Sequence, residues 1–474
     1  MATVKPAAGQ YFTASVPVLI VGAGACGLTA ALACRDAGVE VVLLERDSLA
    51  TGSTSLSSGM IPACRTAQQA HAGVEDCVAL MMADINKKCA NQAPAELVEA
   101  ICAQSGPTIG WLTEEHGIAL QLVNDFLYPG HSVARMHAPA SRAGADLQAA
   151  LLQASERSGA TLMTDAWVTT LFVAEEGTVK GVRIARPDGT GEAIGCGALI
   201  LACNGFGGNP AMVAQYIPAM AGAEYFGHRG NQGEAVQWGH ALGAATRCMG
   251  AYQGHGSVAT PHQILVTWAL MMEGGIQVNA HGERFSNEHD GYSEQAVRVL
   301  DQPGGIAWCV YDGRRHQLGG QFEDYRSACE RGAVLQAADT ERLAAQMAVP
   351  HAALAASIAM TQGERRCPFG RSFTAPALAA PYHAIKVTGA LLHTQGGLAV
   401  STKGQVLTDT GKPLPNLYAG GGAAGGLSGE HVWGYLSGNG LLSAVVLGRI
   451  AGQAAAYKQC SESQLHTVRM MQRG

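Results

Sequence analysis

The chain has 474 residues, a formal net charge of -6, and 14% charged against 47% hydrophobic residues. That length suits two domains, or one large domain with a lobe, and can bury a deep site; mild acidity without a long basic run argues against nucleic acid as a partner. The 13 cysteines are scattered and never spaced as CxxC or CxxCH, so they indicate no disulfide framework, metal site, iron–sulfur cluster or attached haem, and suggest a reduced, cytoplasmic setting.

Residues 16–21, VPVLIV, form a short continuous apolar run that predicts a buried parallel strand. Gly22, Gly24 and Gly27 follow in a GxGxxG pattern, residues 28–37 read as a helix, and VEVVLLE reads as a second strand ending in Glu45. The same glycines interrupt the apolar segment 16–34, so no membrane span is expected there, and no signal-peptide pattern precedes it. Glycines let the backbone turn sharply and approach a pyrophosphate, whose charge meets free amides at a helix N-terminus. Glu45, 23 residues after Gly22, is placed to accept hydrogen bonds from a ribose. The ordered set of strand, glycines, helix, strand and acid predicts a dinucleotide site.

TGSTSLSSGMIP, residues 51–62, is rich in hydroxyls and glycine, a polar loop suited to ribityl and phosphate contacts, although a solvated surface loop reads the same way. Nicotinamide-binding domains rarely need such a loop, so it favours FAD. GALILACNGFGGN, residues 197–209, predicts a third strand ending in small residues suited to approach the same ligand. ERLAAQMA and HAALAASIAM, in 341–348 and 351–360, read as helices. The chain closes with a glycine-rich turn, LSGNG, feeding an apolar helix over 441–456.

These segments, with ERFSNE, LLHTQGGLAV and NLYAGGGAAGGLSGEHVWGYLSGNGLL, resemble the FAD-dependent fumarate reductase and 3-ketosteroid dehydrogenase superfamily over nearly the whole chain. The resemblance implies an α/β fold: a Rossmann-type FAD-binding domain, residues 1–250 and 392–474, with a smaller α+β cap inserted over 251–391. It implies FAD contacts from Gly22, Gly24, Ala25, Gly27, Glu45 and Arg46, from Thr51, Ser53, Thr54, Ser58 and Gly59 in the polar loop, and from Ala202, Gly205 and Gly422. Glu430 would meet the ribityl region, the Ser437-Gly438-Asn439-Gly440 turn would lie beneath the isoalloxazine, and the last helix, from Leu441, itself a cofactor contact, would aim its N-terminus at the flavin, stabilising negative charge there.

In fumarate reductases the substrate lies between flavin and cap, hydride passes to or from flavin N5, and an arginine moves the proton. Arg284 matches the motif position of that arginine, His393 that of a substrate-binding histidine, and His255, more loosely, its counterpart at the opposite domain crossing. Tyr435 stands where a carboxylate-gripping arginine is expected; a phenol bonds a carbonyl but forms no bidentate ion pair. Counting back from Arg284 puts Trp268 and Met271 at the positions of a proton-relay glutamate and arginine. The expected activity is dehydrogenation of a CH–CH bond beside a carboxylate or ketone, with the proton going to Arg284 or Tyr435. An ene-reductase running the same chemistry backwards, or a non-catalytic FAD electron carrier, are the alternatives. Without haem motifs or a second nucleotide loop, electrons must pass to or from a separate partner.

Overall fold

The computed structural model describes residues 2–362 and 367–471, with side chains to residue 461. The predicted first strand is Ala14–Val21, and its last four residues are all buried, which explains an apolar run with no polar alternation. It pairs in parallel with Val41–Leu44 on one side and Gly191–Leu201 on the other. Thr161–Met163 extends the sheet beyond Val41–Leu44, and Pro413–Ala419 joins the C-terminal end of Gly191–Leu201. Sequence positions four hundred residues apart thus share one sheet. Antiparallel strands Trp167–Val173 and Val179–Ala185 continue it through the N-terminal half of Gly191–Leu201, and Thr3–Pro6 and Gln405–Leu407 at its edges bring it to nine strands among the described residues.

The helix after the glycines is Ala25–Asp36, and it packs along the last helix, Asn439–Met471, which is longer than its apolar pattern implied. Small residues allow that approach: a Cβ at Gly448 would sit 2.4 Å from the Cys26 carbonyl oxygen, and one at Gly452 would sit 2.3 Å from that of Ala30. The segment Asn439–Ser461 is long and apolar enough to cross a membrane, but 56% of its apolar window is buried inside the protein. Its apolarity is accounted for by this packing.

A second, mostly antiparallel sheet of seven strands is centred on Tyr382–Thr394, flanked by Tyr252–Ala259 and Ile306–Asp312. Helix Tyr292–Leu300 lies across it, and the two helical patterns become Thr340–Met347, capped by the Asp339 side chain, and His351–Ala359. The α/β fold with a second, smaller sheet-and-helix unit agrees with the expectation.

Candidate active site

The parallel strands Ala14–Val21, Val41–Leu44, Gly191–Leu201 and Pro413–Ala419 all end on one side of the first sheet, the position where open α/β sheets bind ligands. A long cavity opens there and continues to the second sheet. Gly22, Gly24, Ala25, Glu45, Arg46, Ser53, Thr54, Ser58, Ala202, Gly422, Ser437, Gly440 and Leu441 all line it, as do His255, His393 and Tyr435.

At the first end, Gly24 begins the helix Ala25–Asp36 with no side-chain cap of its own, leaving the first-turn amides after Ala25 to a ligand or solvent. Thr54 Oγ1 accepts from the Ala25 amide at 3.0 Å, tying the polar loop to the helix start. Glu45 is buried, and its carboxylate accepts from the Ala23 amide at 3.0 Å and the Asp47 amide at 3.2 Å. Ser53 Oγ accepts from Asn231 Nδ2 at 2.9 Å. An uncapped helix start, an acid at the second strand end and a hydroxyl-lined loop, all on one long cavity, fit an FAD: the helix for its pyrophosphate, Glu45 for its ribose, Ser53 and Thr54 for its polar linker.

At the other end, three phenols converge from distant segments: Tyr128, Tyr292 and Tyr435, with Trp268 and Thr267 beside them. The Tyr292 and Tyr435 rings meet edge-on at 6.2 Å, and Tyr435 Oη accepts from the Gly440 amide at 3.5 Å, at the start of the last helix. His255 stacks on Tyr292 at 4.7 Å, and its Nδ1 accepts from the Ser257 amide at 3.2 Å, which leaves the proton on Nε2. His393 Nδ1 accepts from Gln395 Nε2 at 2.8 Å with the same result. Burial pushes the His255 imidazole down to about 3, His393 down to about 4, and Tyr435 up to about 12. At neutral pH this end therefore holds neutral donors. The charged residues lining the cavity, among those described, are Glu45, Arg46 and Glu234, all near the nucleotide end, where Arg46 pairs with Glu234 at 3.5 Å.

The structure places Arg284 elsewhere. Its guanidinium is wholly buried between the second sheet and its helices, where Nη2 pairs with Glu288 Oε2 at 2.6 Å and the charge lies 5.1 Å from the Phe373 ring centre. Arg371 Nη1 shares the same Glu288 oxygen at 2.8 Å. Arg284 is not among the residues that line the cavity; Tyr292, eight residues later, is. Glu430 also lies off the cavity: it is exposed, and its Oε1 accepts from the Cys248 amide at 2.9 Å, which braces that loop. Thr51 is exposed outside the cavity, and Asn439 is buried behind it. Gly27, Gly59 and Gly205 serve close packing instead of lining: a Cβ on Gly27 would fall 1.9 Å from the Gly22 carbonyl oxygen, one on Gly59 2.9 Å from that of Ala143, and one on Gly205 2.0 Å from Thr394 Oγ1. Trp268 and Met271 are both buried, Trp268 in the cavity wall and Met271 in the apolar core, so neither carries a charge toward the site. Tyr128 and Tyr292 were not anticipated; the Gly291-Tyr292 step that opens a helix just after ERFSNE was the available signal for the second.

The FAD binding domain family model matches residues 17–441. The chain belongs to that family. Within it, the probable fumarate reductase Ifc3 of Shewanella frigidimarina (strain NCIMB 400) is 30% identical over 447 residues, 93% of this chain and 74% of that protein. The open conformation of a flavocytochrome c3 fumarate reductase superposes with a TM-score of 0.79 at 28% identity, covering 96% of this chain and 80% of that one. The 3-ketosteroid-delta4-(5alpha)-dehydrogenase of Rhodococcus jostii RHA1 shares the fold, with a TM-score of 0.74 at 22% identity over 96% of this chain and 100% of that one. The chain is an FAD-dependent oxidoreductase of the fumarate reductase family, as its motifs implied.

Burial lowers four further histidines besides His255 and His393, so that His131, His137, His289 and His383 also sit at about 4. In the unfolded chain a histidine titrates near ~6.5. The unfolded state thus binds more protons below that pH, and stability is full above it and falls as pH drops toward the native values. Thermal unfolding at pH 7 and at pH 5 should show a clearly lower Tm at pH 5; equal values would mean that these rings are hydrated.

Proposed function

We propose that this enzyme dehydrogenates the CH–CH bond beside a ketone, with Tyr435, once ionised to its phenolate, accepting the α-proton and Tyr292 donating a hydrogen bond to the carbonyl oxygen. The carrying observation is the phenol- and imidazole-lined end of the cavity, where the described residues include no cation. A carboxylate buried there would lose its hydration without an ion-pair partner, a cost of several kcal/mol. A ketone needs only donors, and donors aimed at its oxygen stabilise the enolate-like charge that develops as the α-proton leaves.

The two phenols are not equivalent. Burial raises Tyr292 well above 10, and Tyr435 beside it raises it further, so Tyr292 keeps its proton and donates. Burial raises Tyr435 too, but the Gly440 and Gly438 amides and the Tyr292 hydroxyl favour its ionised form. Those amides lie at the start of the helix Asn439–Met471, whose positive end supports a phenolate. His255 holds the Tyr292 ring by stacking, and His393, through its Nε2 proton, offers the carbonyl a second donor. Bound FAD supplies the acceptor for the β-hydride. The electrons then pass to a separate partner.

By microscopic reversibility the same groups serve an ene-reductase, and the name of the relative Ifc3, a probable fumarate reductase, favours that second reading. Anaerobic flavin absorbance separates the cases. Saturated cyclic ketones are expected to bleach the flavin, and succinate is not. Bleaching by succinate alone would overturn the ketone assignment. Failure of every saturated compound, with the chemically reduced protein reoxidised by enones, would reverse the direction.

A further inference from the structure

Tyr292 is the first residue of its helix, and Gly291 before it supplies no side-chain cap. A catalytic phenol at an uncapped helix start needs support from elsewhere. That support comes from Lys88, the last residue of helix Val78–Lys88, which belongs to the N-terminal part of the chain. Its Nζ donates to the Asp290 carbonyl oxygen at 2.9 Å and forms an ion pair with Glu294 Oε1. The two partners stand two residues before and two residues after Tyr292, so one ammonium group brackets the phenol-bearing turn. Both side chains are sheltered, at 15% and 10% exposure, which limits solvent screening of the pair.

The glycine belongs to the same device. Gly291 has φ of 138°, and a Cβ there would sit 2.4 Å from Glu294 Oε2 and 3.3 Å from Lys88 Nζ, so a side chain would displace the clamp. The lysine's own helix is anchored: Met81 and Ile85 are in the core, and Asp84 pairs with the fully buried Arg135 and accepts from the Ser132 amide at 2.8 Å. One end of the clamp is therefore fixed to the nucleotide-binding half, and the other holds the helix of the second sheet that brings Tyr292 to the substrate.

We propose that Lys88 is a positioning residue that clamps the first turn of helix Tyr292–Leu300 and sets the Tyr292 phenol against the substrate carbonyl. The proposal rests on the role given to Tyr292 above. A displacement of ~1 Å at a reacting geometry costs roughly 100-fold in rate, so Lys88→Met should lower kcat per bound flavin by about that factor, with KM and flavin content little changed. Lys88→Arg, which retains the charge and the donors, should recover most of the rate. In a Tyr292→Phe background, Lys88→Met should add no further loss, because the group it positions is already gone. Losses that multiply in the double variant, or full activity in Lys88→Met, overturn the clamp. If Tyr292→Phe keeps full activity, the reading of Tyr292 fails separately, and hydrogen exchange of the holoenzyme, which needs no substrate, judges the clamp. Faster exchange of amides 291–296 in Lys88→Met is then the expected result, and unchanged protection overturns it.

Discussion

Tyr435→Phe should slow flavin bleaching by a saturated ketone by roughly 10²–10⁴-fold, the range for losing a general base, while FAD stays bound. The ring is 4% exposed and packs edge-on to Tyr292, so phenylalanine keeps the shape and removes only the oxygen. That oxygen is the one aimed at the Gly440 amide, where the last helix begins and where negative charge is best supported. Stopped-flow bleaching measures the rate, and solvent exchange of an α-deuterated ketone measures the proton step alone. Loss of both is expected. Slow bleaching with normal α-exchange would move the base to another group, with Tyr292 the nearest phenol.

Glu288→Gln is expected to destabilise the protein by about 3–5 kcal/mol, the cost of breaking a buried ion pair from one side. Glu288 is 0% exposed and is the shared partner of Arg284 and Arg371; it also accepts from the Gln277 amide at 3.0 Å. Burial alone would raise its carboxyl, but Arg371 and Arg284 outweigh burial and hold it below the usual carboxylate range. Its contribution is therefore complete above the ordinary carboxylate pKa and is lost as pH falls through the lower native value. At neutral pH the glutamine variant leaves two guanidiniums facing each other with no counter-charge. Differential scanning calorimetry should show the fall in Tm, together with a shallower acid dependence than the parent protein. Arg284→Ala should act in the same way, losing stability while the folded, flavin-loaded fraction still turns over. Full stability with turnover abolished would return Arg284 to the chemistry.

Much of the nucleotide site was legible because its signal is local. Strand, glycines, helix, second strand and Glu45 lie within residues 14–45, and each follows from neighbours: apolar runs make strands, small residues permit close turns, and an acid closes the second strand. The same locality made Ser53 and Thr54 readable, and the order of motifs along the chain was enough for the family and for FAD. The terminal turn was readable as part of the cavity wall through Ser437, Gly440 and Leu441, but the placement of Glu430 off that wall was not, since an acid in a glycine-rich loop can face a cavity or brace the loop with equal local sense.

The reacting end was a matter for the tertiary structure. Tyr128, Tyr292 and Tyr435 come from three separate regions, and nothing in the residues around any of them announces the other two. The ERFSNE segment pointed to a loop beside the cavity, but the side chain that lines the cavity is Tyr292 and not Arg284. Arg284 turns inward because Glu288, four residues on, and Arg371, far along the chain, complete a buried charge cluster around it; Tyr292 turns to the cavity because its helix starts there and Lys88 meets it from the opposite half. Sequence spacing by itself determined which backbone could approach a dinucleotide. Which side chains could touch a substrate depended on long-range pairing of buried charges, and that is decided only when the distant partners have packed.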